Sequence, residues 1–320
     1  MQSDLRGAEL LAYTSSQLEP SDFDSFWRGT LEDARLHDSR LVIERVFSPV
    51  NSVQIYDCSF SGYNGEQIRG WLRRPHESGE KLPVLVEFVG YGGGRGIAED
   101  NLFWASAGYV HLQMDTRGQG GTWSPGSTPD LSISGPRVPG MMTSGIESRD
   151  SYYYRRLITD AVRAVDAVLT LDQIDSERVV TLGVSQGGGL ALAVAGLHSA
   201  VTDMVAYVPF LCDFPRAITI TDRDPYKEIS RLLSVIRDQE SEIARTLSYF
   251  DGVNFAKRSQ ASAQFTAGLM DDVCPPSTVV AAFNAYKGPK EIRLFPHSGH
   301  EHSIDEDVET WTRLRLRGER

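Results

Sequence analysis

The pattern of apolar and polar residues changes texture near residue 82. Before it, short alternating stretches cover residues 41–46, 54–60 and 67–72, separated by turn residues such as Gly62-Tyr63-Asn64-Gly65. Alternation with period two puts the apolar side chains on one face, which predicts antiparallel strands. A helix is predicted ahead of them. Ser21-Asp22-Phe23-Asp24-Ser25-Phe26-Trp27 opens it, with Ser21 or Asp22 as N-cap. After residue 82, buried-type strands are predicted at 84–89, 109–114, 179–183, 204–208, 264–269 and 292–295. Helical stretches at 99–107, 155–171, 188–197 and 277–286 lie between them, and 308–316 closes the chain. Strands buried on both faces and joined by crossover helices make a parallel sheet. The antiparallel opening strands would extend one edge of it.

Two segments break the alternation. Residues 118–150 are a long loop rich in Gly, Ser and Pro. Loops of that length inside a compact domain are usually functional or interaction segments. Residues 213–253 read as several short helices inserted after the strand that ends near Pro209. Such an insertion sits above the C-terminal edge of the sheet, where open α/β folds bind ligands. It is a candidate lid, with inert decoration as the alternative. The whole chain, 1–320, reads as a single α/β domain, with residues 20–75 supplying its N-terminal helix and antiparallel strands.

Composition narrows the function classes. A net charge of −11 argues against a nucleic-acid partner, which needs a basic face. There is no run of about 18 apolar residues, so no membrane-spanning helix is expected. Residues 1–20 carry scattered acids and no apolar core, which does not read as a signal peptide. Cys58, Cys212 and Cys274 are odd in number and far apart, with neither metal spacing nor a disulfide framework. A cytoplasmic protein is the natural expectation.

The candidate chemistry centres on Gly183-Val184-Ser185-Gln186-Gly187. An apolar strand precedes it and a small-residue helix follows, the context of a nucleophile elbow. With 29 glycines in the chain, the pentapeptide alone could arise by chance. A serine nucleophile also needs a base and an acid to orient that base, and in the α/β-hydrolase fold these follow in the order Ser, Asp/Glu, His. Strand 264–269 runs into Met270-Asp271-Asp272, and Asp271, first off the strand, is favoured over Asp272. Strand 292–295 runs into Pro296-His297-Ser298-Gly299-His300-Glu301-His302. His300 is the expected base. His297 is expected to be packed or capping, and His302 to begin the final helical region. His37, His76, His111 and His198 fit core or surface roles better. Oxyanion donors are expected from the backbone N–H of Gln186 and from Tyr91, at the head of the loop Gly90-Tyr91-Gly92-Gly93-Gly94-Arg95-Gly96. Neither a cofactor nor a metal is called for.

Arg117-Gly118-Gln119, Gly183-Val184-Ser185-Gln186-Gly187 and His300-Glu301 together resemble carbohydrate esterase family seven, the acetyl xylan esterases and cephalosporin-C deacetylases. The helix Phe23-Asp24-Ser25-Phe26-Trp27, Met114-Asp115-Thr116, Ser151-Tyr152-Tyr153-Tyr154 and Cys274-Pro275-Pro276 extend the resemblance from about residue 20 to beyond 300. It implies the α/β-hydrolase fold, a Ser185–Asp271–His300 triad and oxyanion donors Tyr91 and Gln186. It also implies an acetyl-sized pocket lined by Phe210, Pro225 and Val273. Assembly as a homo-hexamer, a dimer of trimers enclosing the active sites, is implied too, with the 118–150 loop and opening strands at its contacts. Arg117 reads as a buried ion pair, and Arg117-Gly118-Gln119 as a structural motif without an obvious chemical step. Departures fall at Glu301-His302-Ser303 and in the 213–253 insertion. The expected activity is removal of acetyl groups from small substrates (xylo-oligosaccharides, cephalosporin C, simple acetates) through an acetyl-enzyme. The alternatives are a longer-chain carboxylesterase, a lactone hydrolase, a peptidase or a non-catalytic binding member of the fold. A dienelactone hydrolase would be expected to carry cysteine at position 185.

Overall fold

A computed structural model describes residues 4–76, 81–133 and 140–318. Among the described residues nine strands form one sheet: β1 (Val42–Arg45), β2 (Val53–Ser61), β3 (Gln67–Pro75), β4 (Leu82–Phe88), β5 (Val110–Met114), β6 (Ile174–Val184), β7 (Asp203–Tyr207), β8 (Ser262–Gly268) and β9 (Lys290–Phe295). Their spatial order is β1-β2-β3-β5-β4-β6-β7-β8-β9. β1, β2 and β3 pair antiparallel, and β3 is antiparallel to β5. From β5 to β9 every pairing is parallel. This is the α/β-hydrolase fold, with the alternating strands extending one edge as their texture predicts.

The strand period decides which residues enter which core. On β4, Val84, Val86 and Phe88 join the core that holds the helices Tyr153–Val168 and Gln186–Leu197. Leu85 joins Trp104, Tyr109, Leu182 and Val205 in a second cluster, covered by Trp311 and Leu314 of the helix Ile304–Gly318. Both faces of the parallel part are therefore covered, which is why its strands read as continuous apolar runs.

The structure departs from the sequence reading at element ends. The helix expected over 99–107 is only Phe103–Ser106. Asp100 turns its carboxylate back to the Ile97 N–H, and Asn101 has φ 56°, so the chain before Leu102 is a turn. β6 begins at Ile174, ahead of the expected 179, because Ile174 and Asp175 pair with Leu82 and Pro83 before a register shift that resumes pairing at Val179. Asp22 does occupy the N-cap position of the helix Phe23–Arg35, but its side chain caps nothing. It instead accepts from Arg149 Nη1 at 2.6 Å and from the Tyr249 hydroxyl at 2.5 Å.

The 118–150 loop contains the 3-10 turn Met141–Thr143, and its residues 134–139 lie outside the described residues. The insertion between β7 and β8 comprises the helices Phe214–Ile220, Tyr226–Val235, Glu240–Ser248 and Gly252–Ala256. Its two ends meet on one buried carboxylate. Asp251 accepts from the backbone N–H groups of Asp213 (2.9 Å), Phe214 (2.8 Å) and Val253 (2.9 Å). Among the described residues no helix is long and apolar enough to cross a membrane.

Candidate active site

Ser185 stands between β6 and the helix Gln186–Leu197 with φ 57° and ψ −120°, a conformation that costs free energy in a non-glycine residue. The surrounding structure forces it. The Ser185 N–H donates to Tyr207 O, and Ser185 O accepts from the N–H groups of Gly189 and Phe210. Glycine is required on either side by close approach. A Cβ on Gly187 would lie 2.0 Å from Phe88 O, and one on Gly183 would lie 2.2 Å from the Gly187 carbonyl carbon. The turn thus places the serine at the N-terminus of a helix whose first amides favour negative charge.

Asp271 and His300 meet beside it. His300 Nδ1 lies 2.8 Å from Asp271 Oδ2. The other carboxylate oxygen, Oδ1, accepts from the N–H groups of Val273 and Cys274, each at 2.8 Å. These bonds fix the carboxylate, and the carboxylate fixes the imidazole ring and its tautomer. Asp272 points the other way: its side chain is mostly exposed, 3.6 Å from Arg223. His300 Nε2 makes no hydrogen bond among the described residues, so it has a position to give to a proton. The loop's other histidines are elsewhere. His297 is exposed rather than packed or capping. His302 precedes the last helix and stacks on Tyr207 with ring centroids 4.4 Å apart. Burial would lower its pKa, but Asp307, 3.3 Å away, raises it above the ordinary histidine range.

Cys274 adds a buried thiol to the same corner. Its ligand-type atom and those of Asp271 and His300 all lie within 4.8 Å of one another. That cluster could be read as a metal centre, but its chemistry fits poorly. Both Asp271 oxygens already accept hydrogen bonds. Burial, followed by the charge of Asp271, pushes the Cys274 thiol well above its ordinary pKa, which disfavours the thiolate a metal needs; the Ser185 hydroxyl beside it only partly offsets this.

Of the residues expected to donate to an oxyanion, neither Tyr91 nor Gln186 gives its backbone N–H to a carbonyl among the described residues. Their segments are neighbours. A Cβ built on Gly90 would be 4.0 Å from Ser185 Cβ and 3.6 Å from Val184 O. What ties them together is Gln119. Its Oε1 accepts from the Gly92 N–H at 2.7 Å, while its Nε2 donates to Gln186 Oε1 and to the Tyr153 hydroxyl, each at 3.0 Å. Gln186 completes the bridge by donating Nε2 to Val89 O at 3.1 Å and accepting from the Tyr154 hydroxyl at 2.9 Å. The motif Arg117-Gly118-Gln119 therefore joins the elbow to the loop after β4. No sequence spacing signals this, because the two glutamines are 67 residues apart.

Arg117 is fully buried among Asp160 (Nη2–Oδ1 2.8 Å), Glu66 (2.6 Å) and Asp130 (3.6 Å). Burial alone would lower its pKa, but Asp160, then Glu66 and Asp130, raise it above the ordinary arginine value. Phe210 is buried, 6.4 Å from the Tyr91 ring and 4.3 Å from that of Tyr226. Val273 is half-buried beside Asp271, and Pro225 is buried at the start of the helix Tyr226–Val235. No motif in the sequence marks Glu228 of that helix. It accepts from the Tyr91 hydroxyl (2.9 Å) and from the N–H groups of Gly140 (3.0 Å) and Met142 (3.2 Å). Burial pushes its pKa up, and these donors pull it partly back. The insertion, the long loop and the loop after β4 thus converge on one carboxylate.

The chain is similar to known acetyl esterases over most of its length. The chain is 30% identical over 286 residues to acetyl esterase Axe7A of Xylanibacter ruminicola, covering 88% of this chain and 63% of that protein. The acetyl xylan esterase from Paenibacillus sp. R4 superposes with a TM-score of 0.91 at 37% identity, covering 98% of this chain and 99% of that one. Acetyl xylan esterase 1 from Thermoanaerobacterium sp. JW/SL YS485 gives 0.88 at 31% identity, covering 97% and 99%. The family model described as acetyl xylan esterase (AXE1) matches residues 1–312, which include every strand of the described sheet. By sequence and by fold, this chain belongs to the acetyl xylan esterase family.

Proposed function

We propose that this chain is a serine esterase that removes acetyl groups from small acetylated substrates: xylo-oligosaccharides, cephalosporin C and simple acetates. The observation that carries the reading is the Asp271–His300 hydrogen bond of 2.8 Å beside a serine held in a strained elbow. His300 Nε2 takes the proton from Ser185 Oγ as the serine attacks the acetyl carbonyl. Asp271 stabilises the imidazolium without itself being protonated. The amides of Tyr91 and Gln186 receive the oxyanion, with the helix N-terminus favouring its charge. His300 then protonates the leaving alcohol, and water, activated by the same imidazole, releases acetate. Serine contacts with the base tighten when substrate fills such a site.

Phe210, Pro225 and Val273 line the acyl end of the pocket in this reading, and the 213–253 insertion acts as the lid of a single hydrolase domain. The chain works in the cytoplasm as a homo-hexamer whose enclosed sites admit oligosaccharides and exclude polymer. Light scattering then gives six times the chain mass of 35.4 kDa. Acetate release from acetylated xylo-oligosaccharides, cephalosporin C and ethyl acetate tests the activity. Faster turnover of an octanoate ester than of the matching acetate overturns the acetyl specificity. Absence of fluorophosphonate labelling, or labelling that persists in Ser185→Ala, overturns the serine mechanism.

A further inference from the structure

We propose that Trp123 is a sugar platform: it stacks on the C–H face of the pyranose ring whose acetyl group reaches Ser185. The inference rests on the esterase reading above and adds a residue that holds the sugar on the alcohol side of the site. Trp123 is 62% exposed, yet it is not free to swing. Its indole N–H donates to Tyr91 O at 2.8 Å. Its ring lies on the glycines of the loop after β4, where a Cβ on Gly93 would fall 2.2 Å from Trp123 Cζ2. One side of the indole is therefore packed on bare backbone and fixed in orientation. Much of the rest of the ring faces solvent.

Its place is set by Gly90. A single Cβ built there would touch both Trp123 Cζ2, at 3.5 Å, and Ser185 Cβ, at 4.0 Å. The ring carbon of an O-acetylated sugar is two bonds from the carbonyl carbon that the serine attacks. A sugar bound for deacetylation must therefore lie within a ring's width of the nucleophile, which is where Trp123 stands. A pyranose carries its hydroxyls around the rim and presents C–H groups on its faces. Those weakly positive hydrogens suit the negative face of an indole, and an ordered, exposed aromatic ring offers that face at little entropic cost. Isolated exposed apolar side chains are ordinary on protein surfaces. Here the ring is pinned by its own N–H, rests on glycines and borders the nucleophile, which an incidental surface residue has no reason to do.

The test compares the full chain with Trp123→Ala and Trp123→Phe on two esters, a mono-acetylated methyl xyloside and ethyl acetate. A stacked contact of this kind is worth about a two- to tenfold change in affinity. Trp123→Ala is expected to raise KM for the xyloside by that factor while KM for ethyl acetate stays close to wild type; the lost bond to Tyr91 O acts on kcat, and equally for both esters. Trp123→Phe, which keeps a ring but cannot donate to Tyr91 O, is expected to recover most of the xyloside affinity. In a Ser185→Ala background, calorimetry with the same xyloside should show the same weakening on adding Trp123→Ala. A fall of kcat on both esters with no selective rise in the xyloside KM means that Trp123 acts only through the Tyr91 loop, and overturns the proposal. Unchanged xyloside KM and binding overturn it as well. Binding to Ser185→Ala that depends on Trp123, with no hydrolysis of any acetate by wild type, would leave the platform standing and refute the esterase reading instead.

Discussion

Replacing Gln119 by methionine should uncouple stability from catalysis in a measurable way. Methionine keeps the volume and removes the hydrogen bonds. In the structure Gln119 satisfies the buried Gly92 N–H at 2.7 Å and donates to Gln186 Oε1 and the Tyr153 hydroxyl. Most of its partners have another bond. Gln186 Oε1 keeps the Tyr154 hydroxyl, Gln186 Nε2 keeps Val89 O, and the Tyr153 hydroxyl still donates to Arg117 O. Only the Gly92 N–H is orphaned, and a buried unsatisfied donor costs about 1–3 kcal/mol. The same bond holds the segment that carries the Tyr91 amide. Losing an oxyanion donor outright costs about 10²- to 10³-fold in kcat. Loosening one should cost less, about ten- to a hundredfold. KM should change little, because the oxyanion exists only in the transition state. Steady-state kinetics on an acetate ester, at a temperature where urea unfolding shows the variant fully native, reads both terms. Tyr154→Phe is the control: it removes a buried hydrogen bond to Gln186 without touching the loop, so it should lose stability and keep kcat. If Gln119→Met keeps kcat within about twofold of wild type, the bridge is structural only and the positioning argument is wrong.

Asp271→Asn should lower kcat by about 10⁴-fold, since an amide cannot stabilise the imidazolium and favours the wrong tautomer. Asp272→Asn, with its exposed side chain, should stay within about threefold of wild type; equal losses from the two would refute the assignment. The root of the insertion supplies a pH dependence. Burial raises Asp251 to about 7 despite the amides of Phe214 and Val253 that donate to it. A carboxyl raised in the fold contributes stability that is complete below its unfolded pKa, near 4, and is lost as pH climbs through about 7. Asp251→Asn is expected to lose some stability at every pH, having one acceptor oxygen for three amides, and to narrow the difference in urea-unfolding free energy between pH 5 and pH 8. An unchanged difference would mean that Asp251 is ionised throughout.

The chain's own pattern carries some of these features better than others, for physical reasons. β4, β5, β7 and β8 are legible because burial on both faces leaves little room for polar residues. The first half of β6 is not. Asp175 to Arg178 are polar, and the strand reaches back to Ile174 because Leu82 and Pro83 pair with Ile174 and Asp175. The short helix at Phe103 reads too long because Glu99 and Asp100 look like a charged first turn, whereas Asp100 is spent on the Ile97 N–H. Ser185, Asp271 and His300 stand at strand ends, where topology alone limits the candidates. Choosing Asp271 over Asp272 needs the turn itself, since the amides of Val273 and Cys274 wrap around one carboxylate and leave the other outside. Gln119, Glu228 and Trp123 are illegible for a shared reason. Their telling partners lie 67, 137 and 32 residues away, on segments brought close only by the folded sheet.

The distribution of charge around the site follows from what it must stabilise. Immediately behind the proposed oxyanion amides are Gln119, Gln186, Tyr153 and Tyr154, linked to one another by hydrogen bonds. Burial holds both tyrosines well above their ordinary pKa, so this layer is neutral. The full charges stand one layer further out, where Arg117 meets Asp160, Glu66 and Asp130, and Arg156 shares Asp130. A negative group in the inner layer would oppose the charge that develops on the acetyl oxygen, and in a buried site that opposition is poorly screened. A glutamate at 119 could still accept from the Gly92 N–H, but it would introduce such a charge. It would also lose the donor that meets Gln186 and Tyr153. An amide alone accepts from one segment and donates to the other while remaining uncharged, and that combination is what position 119 demands. Glu228 meets the same constraint differently. Its carboxylate engages the far end of Tyr91, at the hydroxyl, so the length of that side chain separates its charge from the amide at the base of the residue.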